Sequence, residues 1–286
     1  MDERYRPYSP EEAEELAEWL GMELTDGEAE SVAAYSDSNE LKNLEAVWTK
    51  TIGKKSTSRD LFVETPYYPS DDENLFNAWI TRFELVRPDN DGLLSGYDVA
   101  IKDNIAIRGA EMTCASREYE GSVPSSHAEI VENLLEAGGR LLGKTNMDEL
   151  AMGPSSESSA YGATLNPKDD DHIAGGSSSG SAAAVAAGDV DLALGSDTSG
   201  SIRIPVSYCG VVGLKTTHGL VPKSGFDTQA DSLDVVGPIA RDVDTASRGL
   251  AAMVGDAPEL SEPTYDGGVG VDPAELTIGV IGCKYM

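Results

Sequence analysis

Two serine-glycine turns constrain this chain more than anything else in it. The first is Ala174-Gly175-Gly176-Ser177-Ser178-Ser179-Gly180-Ser181-Ala182-Ala183-Ala184, and the second is Asp197-Thr198-Ser199-Gly200-Ser201-Ile202-Arg203-Ile204-Pro205. Glycine adopts backbone geometry that a Cβ forbids, and clustered Gly and Ser leave N–H groups pointing at one spot, which suits an oxyanion or a phosphate. A flexible linker has similar composition. It would not pass straight into the alanine-rich helix former Ala182 to Gly188 and then into the short apolar strand Val190-Asp191-Leu192-Ala193-Leu194.

Three kinds of site compete for the first turn. A phosphate loop of the G-x-x-x-x-G-K-[ST] kind fits Gly175 and Gly180, but Ser181 stands where the phosphate-binding lysine must be. Gly176 to Gly180 also satisfies G-x-S-x-G, with Ser178 as nucleophile and Asp197 and His218 following as a serine hydrolase triad. That elbow needs a hydrophobic strand immediately before it, and Lys168-Asp169-Asp170-Asp171-His172 stands there instead. The triad is the runner-up. The third reading uses a lysine as base, in a chain with only 3 histidines. Tyr97, Val99 and Ile101 alternate as the apolar face of a strand, and Lys102 falls on its opposite face at the strand's end.

These residues carry a resemblance. From about Asn74 onward the chain resembles the amidase signature family, whose members use a Ser-Ser-Lys triad on a mixed α/β sheet flanked by helices. The resemblance rests on Val99-Ala100-Ile101-Lys102-Asp103-Asn104, Gly143-Lys144-Thr145-Asn146-Met147-Asp148-Glu149, the two serine turns, and Cys209-Gly210-Val211-Val212-Gly213-Leu214-Lys215. The blocks occur in the family's order and at its spacing, so the combined signal is highly specific.

Residue by residue, the resemblance implies that Ser201 is the nucleophile, Ser177 the bridging serine and Lys102 the base. It places the oxyanion hole at the backbone N–H groups of Thr198, Ser199, Gly200 and Ser201, and a cis peptide at Gly176-Ser177. For this chemistry Lys102 must be largely uncharged near neutral pH, which burial achieves by penalising the ammonium, and Asp103 must point away from it. Asp197 and Arg203 read as a scaffold pair holding the nucleophile turn. Most family members have glycine where this chain has Ser179 and Ser199, so both serines must keep φ negative.

The charge narrows the partners. With 50 Asp and Glu against 21 Lys and Arg, the net charge is -29, spread along the chain, which argues against direct binding to nucleic acid or anionic lipid. Such an acidic composition fits adaptation to high intracellular salt, where repulsion is screened. No run reaches the roughly 18 apolar residues of a membrane span, and no apolar stretch follows Met1, so a soluble cytoplasmic protein is expected. Cys114, Cys209 and Cys283 lack C-x-x-C spacing, suggesting neither a disulfide framework nor a metal site, and Cys209 reads as buried packing. No cofactor is expected.

Residues 1–60 read as a helical appendage and linker, and residues 61–286 as the amidase signature domain. Ser9-Pro10-Glu11-Glu12 opens a helix that Gly21 stops, with Ala13, Leu16, Ala17 and Leu20 as its stripe. A second helix is expected around Glu40 to Lys50, then a linker from Thr51 to Asp60. Ile130, Leu134 and Ala137 mark a helix closed by Gly138-Gly139, and Leu141-Leu142-Gly143 a strand. Leu276 to Gly282 reads as a buried strand close to Met286, whereas the family continues well beyond, so the sheet is expected to be incomplete at the C-terminus.

Two substrate readings follow from the resemblance. The appendage and Gly200 to Pro205 are similar to those of stand-alone amidases acting on small amides, which is the favoured expectation. Asn146 to Gly153 instead resembles the glutaminase component, the A subunit, of tRNA-dependent amidotransferases, which releases ammonia from glutamine for use by its partner. The expected assembly is either a homodimer or a pairing with such an amidotransferase partner subunit. The third possibility is a non-catalytic fragment that needs the rest of the fold.

Overall fold

The structure, a computed structural model, describes residues 9–11, 25–36, 61–88 and 91–255. The helix expected from Ser9 is described only at Pro10 and Glu11, which are helical. The helix around Glu40 to Lys50, the linker from Thr51 to Asp60, the strand from Leu276 to Gly282, and Cys283 lie outside the described residues. The chain divides into two units, Met1–Thr57 and Ser58–Met286. In the first, the described residues include a helix, α1 (Asp26–Ser36), whose sequence mixes acidic and small residues and draws no marked apolar stripe.

The second unit is a mixed sheet covered by helices. Its described strands are β1 (Trp79–Leu85), β2 (Asp98–Lys102), β3 (Arg140–Thr145), β4 (Leu192–Asp197), β5 (Val212–Gly213) and β6 (Val235–Ala240). They lie side by side in the order β1-β3-β2-β4-β6-β5. β3, β2 and β4 run parallel to one another, whereas β1 is antiparallel to β3, and β6 is antiparallel to β4 and β5.

Its described α-helices are α2 (Glu129–Glu136), α3 (Ser179–Ala187), α4 (Arg203–Cys209) and α5 (Val243–Val254). Side chains alternate along each strand, so the sheet buries two different faces. Val99 and Ile101 of β2, with Leu192 and Leu194 of β4, join Ile130 and Leu134 of α2 and Met253 of α5 in one core. Ala100 and Ala193, on the other face, meet Ala182, Ala183 and Ala184 of α3 and Val206 and Cys209 of α4 in a second. The small side chains of that second core let α3 lie close against the sheet.

The expected strand at 190–194 is displaced toward the C-terminus. The ladder pairs Leu192 with Ala240 and continues through Gly195, Ser196 and Asp197 to Val235, carrying polar residues into the sheet. Pairing with β6 settles this boundary, and the apolar run alone does not contain it. Among the described residues no helix is long and apolar enough to cross a membrane.

Candidate active site

β2 delivers Lys102 to the carboxyl end of the parallel trio, where alternation turns it toward the α3 face along with Ala100. The side chain is fully buried. Its Nζ lies 2.8 Å from Ser177 Oγ, 3.0 Å from Ser178 Oγ and 2.8 Å from Ser196 Oγ. Burial strips the ammonium of water and pushes the Lys102 pKa down to about 7, against the opposing pull of Asp148, Asp197, Cys114 and Asp234. Ser178 is also the N-cap residue of α3, so the positive end of that helix faces the amine and further disfavours a charge there.

The hydroxyls around Nζ have distinct proton roles. Ser178 Oγ donates to Ser196 O at 3.1 Å and accepts from Ser196 N at 3.2 Å, so toward Lys102 it acts as an acceptor. Ser196 Oγ already accepts from Asn104 Nδ2 at 3.2 Å. A neutral amine has two N–H groups and one lone pair. With one N–H on Ser178 and the other on Ser196, the lone pair is left for the Ser177 hydroxyl.

The first turn fits around this amine. The Gly176-Ser177 peptide is cis, as expected. A Cβ on Gly176 would run into Asp148 Oδ2 and Gly153 O, so no other residue fits here. Asp148 is itself held by Ser156 N at 3.1 Å and Ser158 Oγ at 2.9 Å. Ser179 and Ser199, where glycine is usual, are both absent from the positive-φ residues, so neither turn is strained at these positions. Ser179 opens α3 and accepts from Thr164 Oγ1 at 3.1 Å.

The second turn follows β4. Asp197 is buried and takes a two-pronged contact from Arg203, with Nε at 3.0 Å and a terminal nitrogen at 2.9 Å, plus Ile202 N at 3.1 Å. Burial pushes the Asp197 carboxyl up, but the bonds from Arg203 and the backbone outweigh it and hold the pKa low. The pair braces the start of the second turn. Gly200 has φ +150 and an added Cβ there would meet Ile204 at 2.8 Å, so this position requires glycine.

Ser201 is half-buried. Its carbonyl accepts from Ser178 N at 3.1 Å, which joins the two turns, while its Oγ makes no hydrogen bond to a described residue. The backbone N–H groups of Thr198, Ser199, Gly200 and Ser201 likewise donate to no described residue. The structure therefore brings Lys102 and Ser177 into direct contact and ties the Ser201 backbone to Ser178, the residue after Ser177.

The runner-up triad does not assemble. Ser178 is spoken for by Lys102 and Ser196, Asp197 is clamped by Arg203, and His218 is exposed with its Nε2 2.9 Å from Asp231 O. Asp103 does turn away from Lys102, accepting from Lys144 Nζ at 2.9 Å and Thr113 N at 2.9 Å. Cys209 is buried, its thiol pushed up to about 12 by desolvation, which makes it packing and not a nucleophile. Among the described residues no cluster of His, Cys, Asp or Glu is arranged to hold a metal ion.

Sequence reasoning missed Ser196, Asn104 and Asp148. Only the parallel pairing of Val99 to Ile101 with Leu192 to Leu194 brings Ser196 past the strand's apolar run to the level of Lys102, and that pairing is not written in either segment alone.

Known proteins resemble much of this chain. The family profile described as amidase matches residues 81–281. The chain is 47% identical over 212 residues to the A subunit of glutamyl-tRNA(Gln) amidotransferase from Natronomonas pharaonis, covering 71% of this chain and 50% of that protein. It is 49% identical over 203 residues to the protein of the same name from Halobacterium salinarum, covering 71% and 48%. The crystal structure of the Thermotoga maritima protein of that name superposes with a TM-score of 0.55 at 50% identity, over 56% of this chain and 35% of that one. The peptide amidase of Stenotrophomonas maltophilia superposes with the same TM-score at 40% identity, over 60% and 37%. The chain thus spans about half the length of the curated relatives it matches. With the profile running from β1 to beyond α5 and relatives sharing nearly half their residues over that stretch, the chain belongs to the amidase family.

Proposed function

We propose that this chain carries the catalytic centre of an amide hydrolase, with Ser201 as nucleophile, Ser177 as proton relay and Lys102 as base. The observation that carries the reading is the 2.8 Å contact between Lys102 Nζ and Ser177 Oγ at a fully buried amine whose pKa sits near 7. A base poised at the working pH is the requirement for general base catalysis. Ser177 passes its proton to Lys102 and takes the proton of Ser201, whose Oγ bonds to the amide carbonyl carbon. The carbonyl oxygen becomes an oxyanion facing the N–H groups of residues 198–201. The C–N bond then breaks, the relay returns its proton to the leaving nitrogen, and water hydrolyses the acyl-serine to acid.

For the substrate, the names of the relatives support the glutaminase component of a tRNA-dependent amidotransferase, which passes ammonia to its partner. This displaces the expectation of a stand-alone amidase. That expectation leaned on the N-terminal appendage, most of which lies outside the described residues.

Intact-mass labelling with a fluorophosphonate in high salt tests the centre. The native chain should gain one adduct at Ser201, and Ser201→Ala and Lys102→Ala should gain none. A folded native chain that takes no label would sink the reading for this chain in favour of a non-catalytic fragment. Ammonia release from glutamine, against release from simple aliphatic or aromatic amides, then decides between the two substrate classes.

A further inference from the structure

The second serine turn is held by more than the Asp197–Arg203 pair. Asp234 lies just before β6 and is buried, at 1% exposure, and among the described residues no cation is bonded to its carboxylate. Thr198 Oγ1 donates to its Oδ1 at 2.5 Å, and Gln229 N and Ala230 N donate to its Oδ2 at 2.6 and 2.8 Å. A carboxylate closed into a buried site is costly unless hydrogen bonds satisfy it, and three short donors do so here. Thr198 opens the run of four N–H groups that point at no described acceptor.

Gln229 extends the clamp to the other side of the site. Its Nε2 donates to Leu150 O at 2.7 Å, and its Oε1 lies 3.3 Å from Thr198 Oγ1. A hydroxyl has one proton, and the carboxylate at 2.5 Å takes it in preference to the amide oxygen at 3.3 Å. Leu150 and its neighbour Ala151 have φ of 52° and 58°, the left-handed region that such residues rarely adopt. They directly follow the Asp148-Glu149 segment, and Asp148 N donates to Ser177 O at 3.3 Å. One connected path therefore runs from the Ser177 turn through residues 148–151 and Gln229 to Asp234 and Thr198.

Resting on the amide-hydrolase reading, we propose that Asp234 is a positioning residue for the reaction. It fixes the turn of Thr198 to Ser201 through the Thr198 hydroxyl, so that the oxyanion donors and the nucleophile are aimed before substrate arrives, with Gln229 tying that turn to the segment beside Ser177. Neither Asp234 nor Gln229 touches the reacting atoms. Its effect comes from the direction of the turn's N–H groups, because a donor misplaced by about 1 Å loses most of its stabilisation of the transition state.

The test compares Thr198→Val, Asp234→Asn and the native chain by two measurements. Hydrogen exchange across residues 197–205 reads the clamp without any catalysis, and exchange of these amides should quicken in both variants. The pH dependence of fluorophosphonate labelling reads its effect on the reaction. Labelling should slow by roughly 10- to 100-fold in both variants. The two should then part. Thr198→Val removes no charge and should leave the midpoint of the pH profile in place. Asp234→Asn removes one of the carboxylates that act on Lys102, the others being Asp148 and Asp197, while the buried Cys114 thiol beside them stays protonated, and should lower the midpoint. Unchanged exchange, or native labelling rates in Thr198→Val, would overturn the proposal. A native chain that takes no label overturns the amide-hydrolase reading and the positioning role with it, while the exchange comparison still decides whether the clamp exists.

Discussion

Asp103 follows Lys102 directly, yet its carboxylate accepts from Lys144 Nζ at 2.9 Å with both side chains at most 1% exposed. Asp103 lies just past the end of β2 and turns away from Lys102, so the chain buries a lysine and a carboxylate side by side in sequence without letting them meet. Were Asp103 to pair with Lys102, the lysine would keep its proton and lose its value as a base. Lys144, on the neighbouring strand β3, removes that option.

Breaking this pair should cost stability heavily. Lys144→Met leaves the Asp103 carboxylate with only Thr113 as donor, and removal of one partner of a buried pair costs about 3–5 kcal/mol. Urea denaturation of the variant against the native chain measures it. A loss below about 1 kcal/mol, the level of an exposed pair, would contradict the burial seen here.

Activity should rise with pH through about 7, where Lys102 gives up its proton. Below that point the labelling rate of Ser201 should fall about tenfold per pH unit. The sign for folding follows from the same shift. An unfolded lysine titrates at 10.5 and the folded one at about 7, so between these values the unfolded chain binds the extra proton and stability rises with pH. Labelling rates and urea midpoints from pH 6 to 10 check both, and a flat rate profile would remove Lys102 as the base.

Ser196→Ala should impair the site without touching the proposed triad. The substitution takes an acceptor from both Lys102 Nζ and Asn104 Nδ2, two buried donors, at about 1–3 kcal/mol. With the amine no longer oriented, labelling should drop by about tenfold. A Ser196→Thr variant keeps the hydroxyl and should recover much of the rate. Equal rates in Ser196→Ala and the native chain would show that the orientation of the amine does not matter.

Gly176→Ala should abolish labelling, because its Cβ has no space beside Asp148 Oδ2 and Gly153 O. Gly188→Ala is the matched control. That glycine has φ +84 but nothing within 4 Å of a new Cβ, so the cost is the backbone strain alone, about 1–2 kcal/mol, with labelling intact. Thermal melts and intact-mass labelling of the pair separate crowding at the site from general destabilisation.

Salt should stabilise the chain. At a net charge of -29, repulsion among carboxylates opposes compaction, and at 1 M salt the screening length falls to about 3 Å. The melting temperature should climb as KCl is raised from dilute buffer to molar concentration. A midpoint indifferent to salt would mean that the charges are spaced too widely to matter.

The sequence was most legible where one pattern dominated. Tyr97 to Ile101 alternate cleanly, and the structure places Lys102 at the strand's end on the face opposite Val99 and Ile101. The alanine run after Gly180 became α3 because a helix lined all round with small residues belongs against a sheet. β1 and β6 escaped notice. β1 carries strand formers in Trp79, Ile80, Thr81 and Phe83 but no clean alternation, and β6 is interrupted by Gly237 and Pro238, so neither stands out until its partner is in place. The support of the site was hidden for the same reason. Ser196, Asp148 and Asp234 reach it from three separate segments, and a separation along the chain carries no trace of a 2.5 or 2.8 Å contact.

The parallel trio β3-β2-β4 has a partner strand on either side, β1 and β6, so Lys102 sits where the sheet is protected from both edges. Fraying starts at edges, and openings that expose a central strand require most of the molecule to come apart. Heat or denaturant should therefore switch off the chemistry at the same point at which the whole sheet gives way, with no range in which a folded but inactive chain accumulates. A reactive amine stored at the centre of the ladder makes inactivation a cooperative event.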